Sequence, residues 1–192
     1  MIKVYYCKIG AGQYAVDDRL MSDYRRARLA ASAREEDRRR SMAAEWLLIY
    51  AAEREGLQAP LGITVGEHGK PLLDGLHFSL SHSGDCVACA VSDQPVGLDI
   101  QQQRTVGVRL AERIANPDDT DAEPLALWCD KEAVLKLLGS GLTCPMSSVA
   151  VRGDSAAAGD KQTCIFRRAI DDYRLSVASF DDQTVELFEI KN

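Results

Sequence analysis

The sequence predicts an α+β fold made of two similar halves, residues 1–97 and 98–192. Three observations carry this reading. Each half runs from a long helical segment into strands. Each closes on a small apolar strand near an aspartate, Ser92-Asp93 in the first half and Ser179-Phe180-Asp181 in the second. A third strand, bearing Asp99, falls close to the junction. The repetition is one of element pattern, which points to a duplicated α+β unit.

In the first half, residues 2–9 alternate loosely and read as a strand. Ser22 or Asp23 can cap a short helix through Ala30. Ser32-Ala33-Arg34-Glu35 has the form of a capping box opening a long helix, with Met42, Ala43, Trp46, Leu47 and Tyr50 on one face and Gly56 as its stop. Arg40 falls at the edge of that apolar stripe, whereas Arg34 and Arg38 point elsewhere. Gly62 to Gly66 reads as a strand and His68-Gly69-Lys70-Pro71 as a turn. Phe78 and Leu80 alternate with Ser79 and Ser81 as a strand, and Ser81-His82-Ser83-Gly84 reads as a turn into a buried strand, Cys86 to Ser92.

In the second half, Val96, Leu98 and Ile100 alternate with Gly97, Asp99 and Gln101, so the two polar side chains share one strand face. Val106 to Ala115 reads as helix and Asn116 to Asp121 as a loop. Thr120-Asp121-Ala122-Glu123 offers a second capping box, with Pro124 in the first turn of the helix that follows. On that helix Ala126, Leu127, Ala133, Val134, Leu137 and Leu138 form the apolar face, and Glu132 points away with Lys136 one turn on and Trp128 one turn back. Asp130 falls within the apolar face. Strands at 148–151, 163–168 and 173–180 complete the pattern, with a polar loop at 152–161.

The chain has 192 residues, 46% hydrophobic and 27% charged, the balance of a globular protein. Its longest apolar run, Trp46 to Ala52, is far short of the ~20 residues a membrane span needs. Met1 to Gly10 holds too short an apolar run for a signal peptide, so a cytoplasmic protein with no membrane partner is expected. Cys86 and Cys89 form a CxxC without a second pair, inside an apolar strand, and all six cysteines read as reduced thiols. A net charge of −6 argues against a general nucleic-acid binder. Yet eight of the 23 basic residues lie between Asp17 and Arg40, a local patch suited to a small polyanion or an acidic partner surface.

Asp99 and Gln101 on a rigid strand are oxygen donors suited to a hard divalent cation, and Glu132 offers a third. An exposed strand face and an i,i+4 surface ion pair between Glu132 and Lys136 are the plainer readings of the same residues. Ser81, His82, Ser83 and Gly84 together make a cluster of donors for a phosphate. With no G-x-S-x-G elbow in the chain, a Ser-His-Asp hydrolase is disfavoured.

Gly69-Lys70-Pro71, Phe78-Ser79-Leu80-Ser81-His82-Ser83, Gly97-Leu98-Asp99-Ile100 and Trp128-Cys129-Asp130-Lys131-Glu132-Ala133-Val134-Leu135-Lys136 resemble, in order and spacing, the Sfp-type 4′-phosphopantetheinyl transferases. Gly139-Ser140-Gly141-Leu142 and the arginines Arg25, Arg28 and Arg40 extend the resemblance over nearly the whole chain. It implies a pseudo-twofold pair of α+β halves with the active site in the cleft between them, the first half binding coenzyme A and the second holding the metal. It further implies Mg²⁺-dependent transfer of the phosphopantetheine arm of coenzyme A to a serine of an apo acyl or peptidyl carrier protein, releasing 3′,5′-adenosine bisphosphate. The pathway would be fatty acid, polyketide or nonribosomal peptide synthesis, and the enzyme a monomer. By resemblance, Asp99, Glu132 and Gln101 take the metal positions, although many family members carry glutamate where this chain has Gln101. Arg25, Arg28 and Arg40 fall near the 3′-phosphate. Lys70, Ser81 and His82 fall at coenzyme A contacts, and Lys131 and Lys136 at the pyrophosphate. Glu132 and Lys136 would be the catalytic pair. The alternative on the same fold is a non-catalytic coenzyme A-binding protein, and a magnesium-dependent phosphohydrolase is a third reading.

Overall fold

A computed structural model of the chain describes residues 1–10, 14–120 and 123–191. The elements in order are β1 (Ile2–Lys8), α1 (Asp23–Ala31), α2 (Glu35–Arg54), β2 (Thr64–Val65), β3 (Pro71–Leu72), β4 (His77–Ser83), β5 (Cys86–Ser92) and β6 (Val96–Gln102). Then come α3 (Val108–Ile114), α4 (Pro124–Leu138), β7 (Val149–Arg152), β8 (Ser155–Ala158), β9 (Lys161–Ile170), β10 (Tyr173–Ser179) and β11 (Val185–Glu189). The fold is α+β, as expected.

Two sheets dominate. One has the order β11-β1-β5-β4, the other β6-β10-β9-β8-β7, and β2 pairs with β3 as a small hairpin. Alternation decides which face of each strand meets which neighbour. On β5, Val87, Cys89 and Val91 pack with Leu47, Leu48 and Ala51 of α2, whereas Cys86, Ala88 and Ala90 face the second sheet. On β6, Val96, Leu98 and Ile100 join that same inter-sheet core with Leu175 and Val177 of β10. Behind the second sheet lies α4, packed through Ala133, Val134 and Leu137. The layers therefore run helix, sheet, sheet, helix. Each leucine fully buried in these cores contributes roughly 1.5–3 kcal/mol.

Several local expectations change. Ser22 does cap α1, accepting from the Arg25 N–H. The Ser32 capping box does not form: α2 starts at Glu35 with Arg34 at its N-cap and no side-chain cap, its first turn favoured instead by Glu35, Glu36 and Asp37 near the positive end of the helix dipole. The capping box at Thr120 includes Asp121 and Ala122, which lie outside the described residues. α4 is capped by Glu123, whose carboxylate accepts from the N–H groups of Leu125 and Ala126. The 62–66 strand shortens to two residues pairing with β3. His82 lies in β4 rather than in a turn, because the β4–β5 ladder continues to Ser83 opposite Cys86 and leaves only Gly84-Asp85 to reverse the chain. Gly84, at φ +53°, supplies the left-handed backbone that reversal needs. The polar loop at 152–161 contains β8, whose small residues pair with both β7 and β9. The strand β11 carried no sequence expectation, and it runs parallel to β1 in the first sheet.

Candidate functional site

The site grows from β6. Its apolar residues are clamped between the sheets, so Asp99 and Gln101 face α4. The approach of α4 is very close because Gly97 has no side chain: a Cβ there would collide with the Ala133 carbonyl and lie 2.5 Å from the Leu137 nitrogen. Lys136 on α4 can consequently reach β6, with Nζ 2.7 Å from Asp99 Oδ1 and 2.9 Å from the Leu98 carbonyl oxygen. Asp99, only 2% exposed, also accepts from Ser81 Oγ at 2.7 Å and from Gln101 Nε2 at 2.8 Å. Three donors compensate this buried carboxylate for its lost hydration.

Glu132 stands one turn before Lys136. Burial, together with the negative charge of Asp99, pushes its carboxyl above the usual glutamate range, and Lys136 opposes that shift. Two carboxylates thus share a poorly solvated space that a divalent cation would relieve. Among the described residues no group of three or more His, Cys, Asp or Glu stands together. The protein would therefore offer two carboxylates and leave the remaining positions to water and substrate oxygens, an arrangement that suits magnesium. Gln101, with its amide nitrogen on Asp99, holds that carboxylate in place.

Beside this pair lies a cavity of about 270 Å³ lined by Arg25 and Arg28 of α1, Lys70 and Pro71 of the hairpin, Phe78 and His82 of β4, and Lys136. Burial lowers the pKa of Lys70, whose ammonium donates to the carbonyls of Lys136 and Leu137 at 2.7 and 3.1 Å at the end of α4. His82 is pushed down by burial and by the positive charges of Arg40 and Lys136. The Lys70 shift comes from burial alone, whereas that of His82 also reflects nearby positive charge, and an anionic ligand would oppose both. A larger cavity, about 570 Å³, lies between α1 and α2, and its lining includes neither these cations nor the acids.

The arginines divide in their roles. Arg25 is buried and committed to Glu45 (3.1 Å) and Ser41 (2.9 Å). Arg28 is exposed, with only a long 3.4 Å contact to the Tyr24 hydroxyl and a ring contact to the same residue among the described residues. Arg40 binds the Gly84 carbonyl at 3.0 Å and Asp37 at 3.1 Å, close enough to His82 to shift it.

Lys131 is not brought to the cleft. It is fully buried on the other side of α4, with Nζ 2.6 Å from Asp119 and 2.7 Å from the Ile114 carbonyl oxygen. Helical geometry explains it: a residue beside Glu132 points about 100° away. Asp130, within the apolar face, accepts from Ser176 Oγ at 2.6 Å and Arg167 Nε at 2.9 Å, which ties α4 to β10 and β9. Only Trp128, Glu132, Lys136 and Leu138 stay half-exposed between Leu125 and Leu138, so α4 shows solvent one narrow line. The serines of β4 beyond Ser81, and Arg167, have structural parts that no sequence motif signalled.

An acid pair, Asp99 buried and Glu132 half-exposed, beside a cation-lined cavity has the chemistry of a site that handles a polyanion. Comparison with known sequences gives the particular family. A family model of the 4′-phosphopantetheinyl transferase superfamily matches residues 95–178, which span β6, α4 and β10. A 4′-phosphopantetheinyl transferase of Bacillus subtilis is 32% identical over 155 residues, 71% of this chain and 69% of the relative. The psf-1 transferase of Bacillus pumilus is 37% identical over 99 residues, covering 44% of this chain and 42% of its own. The Sfp transferase of Bacillus subtilis (strain 168) is 35% identical over 100 residues, 45% of each chain. The chain belongs to the 4′-phosphopantetheinyl transferase family.

Proposed function

We propose that this chain transfers the 4′-phosphopantetheine arm of coenzyme A to a serine of an apo acyl or peptidyl carrier protein, with release of 3′,5′-adenosine bisphosphate. The supporting observation is the junction of Lys136 with Asp99. It lies where the cation-lined cavity meets the acid pair, so a pyrophosphate held by the cations would present its reacting phosphorus to the acids. Two similar α+β halves, 1–97 and 98–192, would then meet at this cleft, the first binding coenzyme A and the second carrying the acids. A monomer in the cytoplasm is the setting this reading assumes.

Arg28, Lys70, His82 and Lys136 bind the phosphates and offset their charge, which is most of what phosphoryl transfer asks of a protein. Phe78 and Pro71 give the cavity an apolar wall for the remainder of the nucleotide. Asp99 and Glu132 would hold Mg²⁺, with Gln101 fixing the Asp99 carboxylate. Bound there, the ion would polarise the pyrophosphate oxygens and neutralise developing charge. Glu132 accepts the proton of the attacking serine hydroxyl, a role favoured by a carboxyl pKa raised above the usual glutamate range.

The test is to incubate the protein with coenzyme A, Mg²⁺ and an apo carrier, and to weigh the carrier. A gain of one phosphopantetheine group on a serine is expected. Coenzyme A bound but unchanged would instead define a binding protein, and its cleavage without acceptor a phosphohydrolase.

A further inference from the structure

The strands β4 and β6 belong to different sheets, yet they run side by side at the cleft. Three hydroxyls of β4 bridge them. Ser79 Oγ accepts from Leu98 N at 2.9 Å, Ser81 Oγ from Ile100 N at 3.2 Å and Ser83 Oγ from Gln102 N at 2.9 Å. Each pair is separated by 19 residues, so the two strands are parallel and in constant register. Alternate residues of a strand share a side, and here every second residue of β4 meets every second N–H of β6.

We propose that Ser79, Ser81 and Ser83 form a hydroxyl seam that sets the register of the acid-bearing strand against the cation-bearing half, making Ser79 and Ser83 positioning residues for transfer. The proposal rests on the transferase reading above. An edge strand must satisfy its outward N–H groups, and a backbone ladder would ordinarily do so at a strand spacing of about 4.8 Å. A side-chain hydroxyl placed between the strands holds their backbones further apart and leaves the β6 carbonyls on that edge open. The Leu98 carbonyl oxygen is then available to Lys136. Ser81, having accepted from Ile100, turns its own proton to Asp99 Oδ1 and so joins the seam to the site.

Register matters here because Arg25, Arg28 and Lys70 line the cavity from the chain before the seam and His82 lies within its β4 side, whereas Asp99 and Gln101 lie within its β6 side and Glu132 follows it. A one-residue slip of β6 would turn Asp99 and Gln101 into the inter-sheet core and expose Leu98 and Ile100. The far end of the seam is closed tightly. A Cβ on Gly84 would meet the Tyr173 hydroxyl at 2.8 Å, and that hydroxyl accepts from Asp85 N at 3.2 Å.

Amide hydrogen exchange and kinetics together test this on Ser79→Ala and Ser83→Ala, with Ser83→Thr as the variant that keeps the hydroxyl. The Ala variants should lose exchange protection at Leu98 and Gln102 respectively, and Ser83→Thr should retain it. Turnover should fall on the order of 10- to 100-fold in the Ala variants, as small misplacements of reacting groups do. In Ser83→Ala, whose side chain does not line the cavity, the dissociation constant for coenzyme A measured without divalent cation should stay within about twofold, because a positioning role separates binding from turnover. Unchanged exchange, unchanged turnover despite lost protection, or a coenzyme A affinity of Ser83→Ala that falls as far as its turnover would each overturn the proposal. If Ser79→Ala does not fold, Ser83→Ala decides, since Ser83 lies at the partly exposed end. Should the unaltered protein transfer nothing, the positioning claim falls with the transferase reading, and the exchange data still judge the seam.

Discussion

Lys136 Nζ sits 2.7 Å from Asp99 Oδ1, so the ammonium of α4 holds one oxygen of the carboxylate on β6. Gly97 makes this possible, since any side chain there would push α4 off the strand. Lys136→Met should lower turnover by about two to three orders of magnitude, the usual cost of losing a charge aimed at the reacting group. The same change removes a positive neighbour from Asp99, so Mg²⁺ should bind the variant more tightly in a calorimetric titration. Undiminished turnover would take Lys136 out of the mechanism.

Glu132→Gln should abolish transfer and, with divalent cations chelated, raise Tm at pH 7 by a few degrees. The sign follows from its raised folded pKa. As pH climbs, the unfolded chain releases this proton first, so stability falls between the ordinary carboxylate range and the higher folded value. Ionised Glu132 is then a net cost at neutral pH, and the amide removes it. A lower Tm, or surviving transfer at saturating Mg²⁺, would contradict this account.

Arg28, exposed and loosely held at the cavity wall, is the cation freest to meet a 3′-phosphate. Arg28→Ala should raise KM for coenzyme A about tenfold and that for dephospho-coenzyme A far less. Arg40 is bound to the Gly84 carbonyl and to Asp37, so Arg40→Ala should affect both substrates more evenly through the β4–β5 turn. Steady-state kinetics with the two substrates distinguish the roles, and the reverse pattern would exchange them.

Gln101→Glu sets a second carboxylate against Asp99 Oδ2, which now receives the Gln101 amide at 2.8 Å. In chelator the variant should melt lower, because two like charges meet in a partly buried cleft. With Mg²⁺ present the added charge should lower the half-saturating concentration at little change in maximal rate, by an attraction on the order of a few kcal/mol less desolvation. Melting curves with and without Mg²⁺ check both effects. An unaltered metal requirement would place Gln101 away from the ion.

The periodic signals were the legible part of this chain. Val96, Leu98 and Ile100 alternating with Gly97, Asp99 and Gln101 define a strand with one polar face whatever packs on it, because side-chain alternation is a property of the extended backbone. The 3.6-residue repeat likewise placed Trp128, Glu132 and Lys136 on one line of a helix. Signals that depend on competing local bonds were less legible. Ser32 has the form of a cap, yet α2 begins two residues beyond Arg34's predecessor Ala33, where three acidic residues favour its start. The alanines of β8 carry little strand propensity and became a strand only because β7 and β9 flank them. β11 owes its place to pairing with β1 at the opposite end of the chain.

Sequence alone determined the α+β class, the strand face bearing Asp99, the helix line bearing Glu132 and Lys136, and the family resemblance. Only the tertiary structure decided what each charged group meets, because partners distant in the chain leave no local pattern. Asp130 is an anomaly on an apolar helix face until Ser176 and Arg167 arrive from β10 and β9 to satisfy it. Lys131 adjoins Glu132 in the motif, yet it turns into the protein toward Asp119, because neighbouring residues on a helix cannot share a face. Ser79, Ser81 and Ser83 look like the polar side of an ordinary strand. They join two sheets because the N–H groups of β6 face that edge and have to be satisfied there.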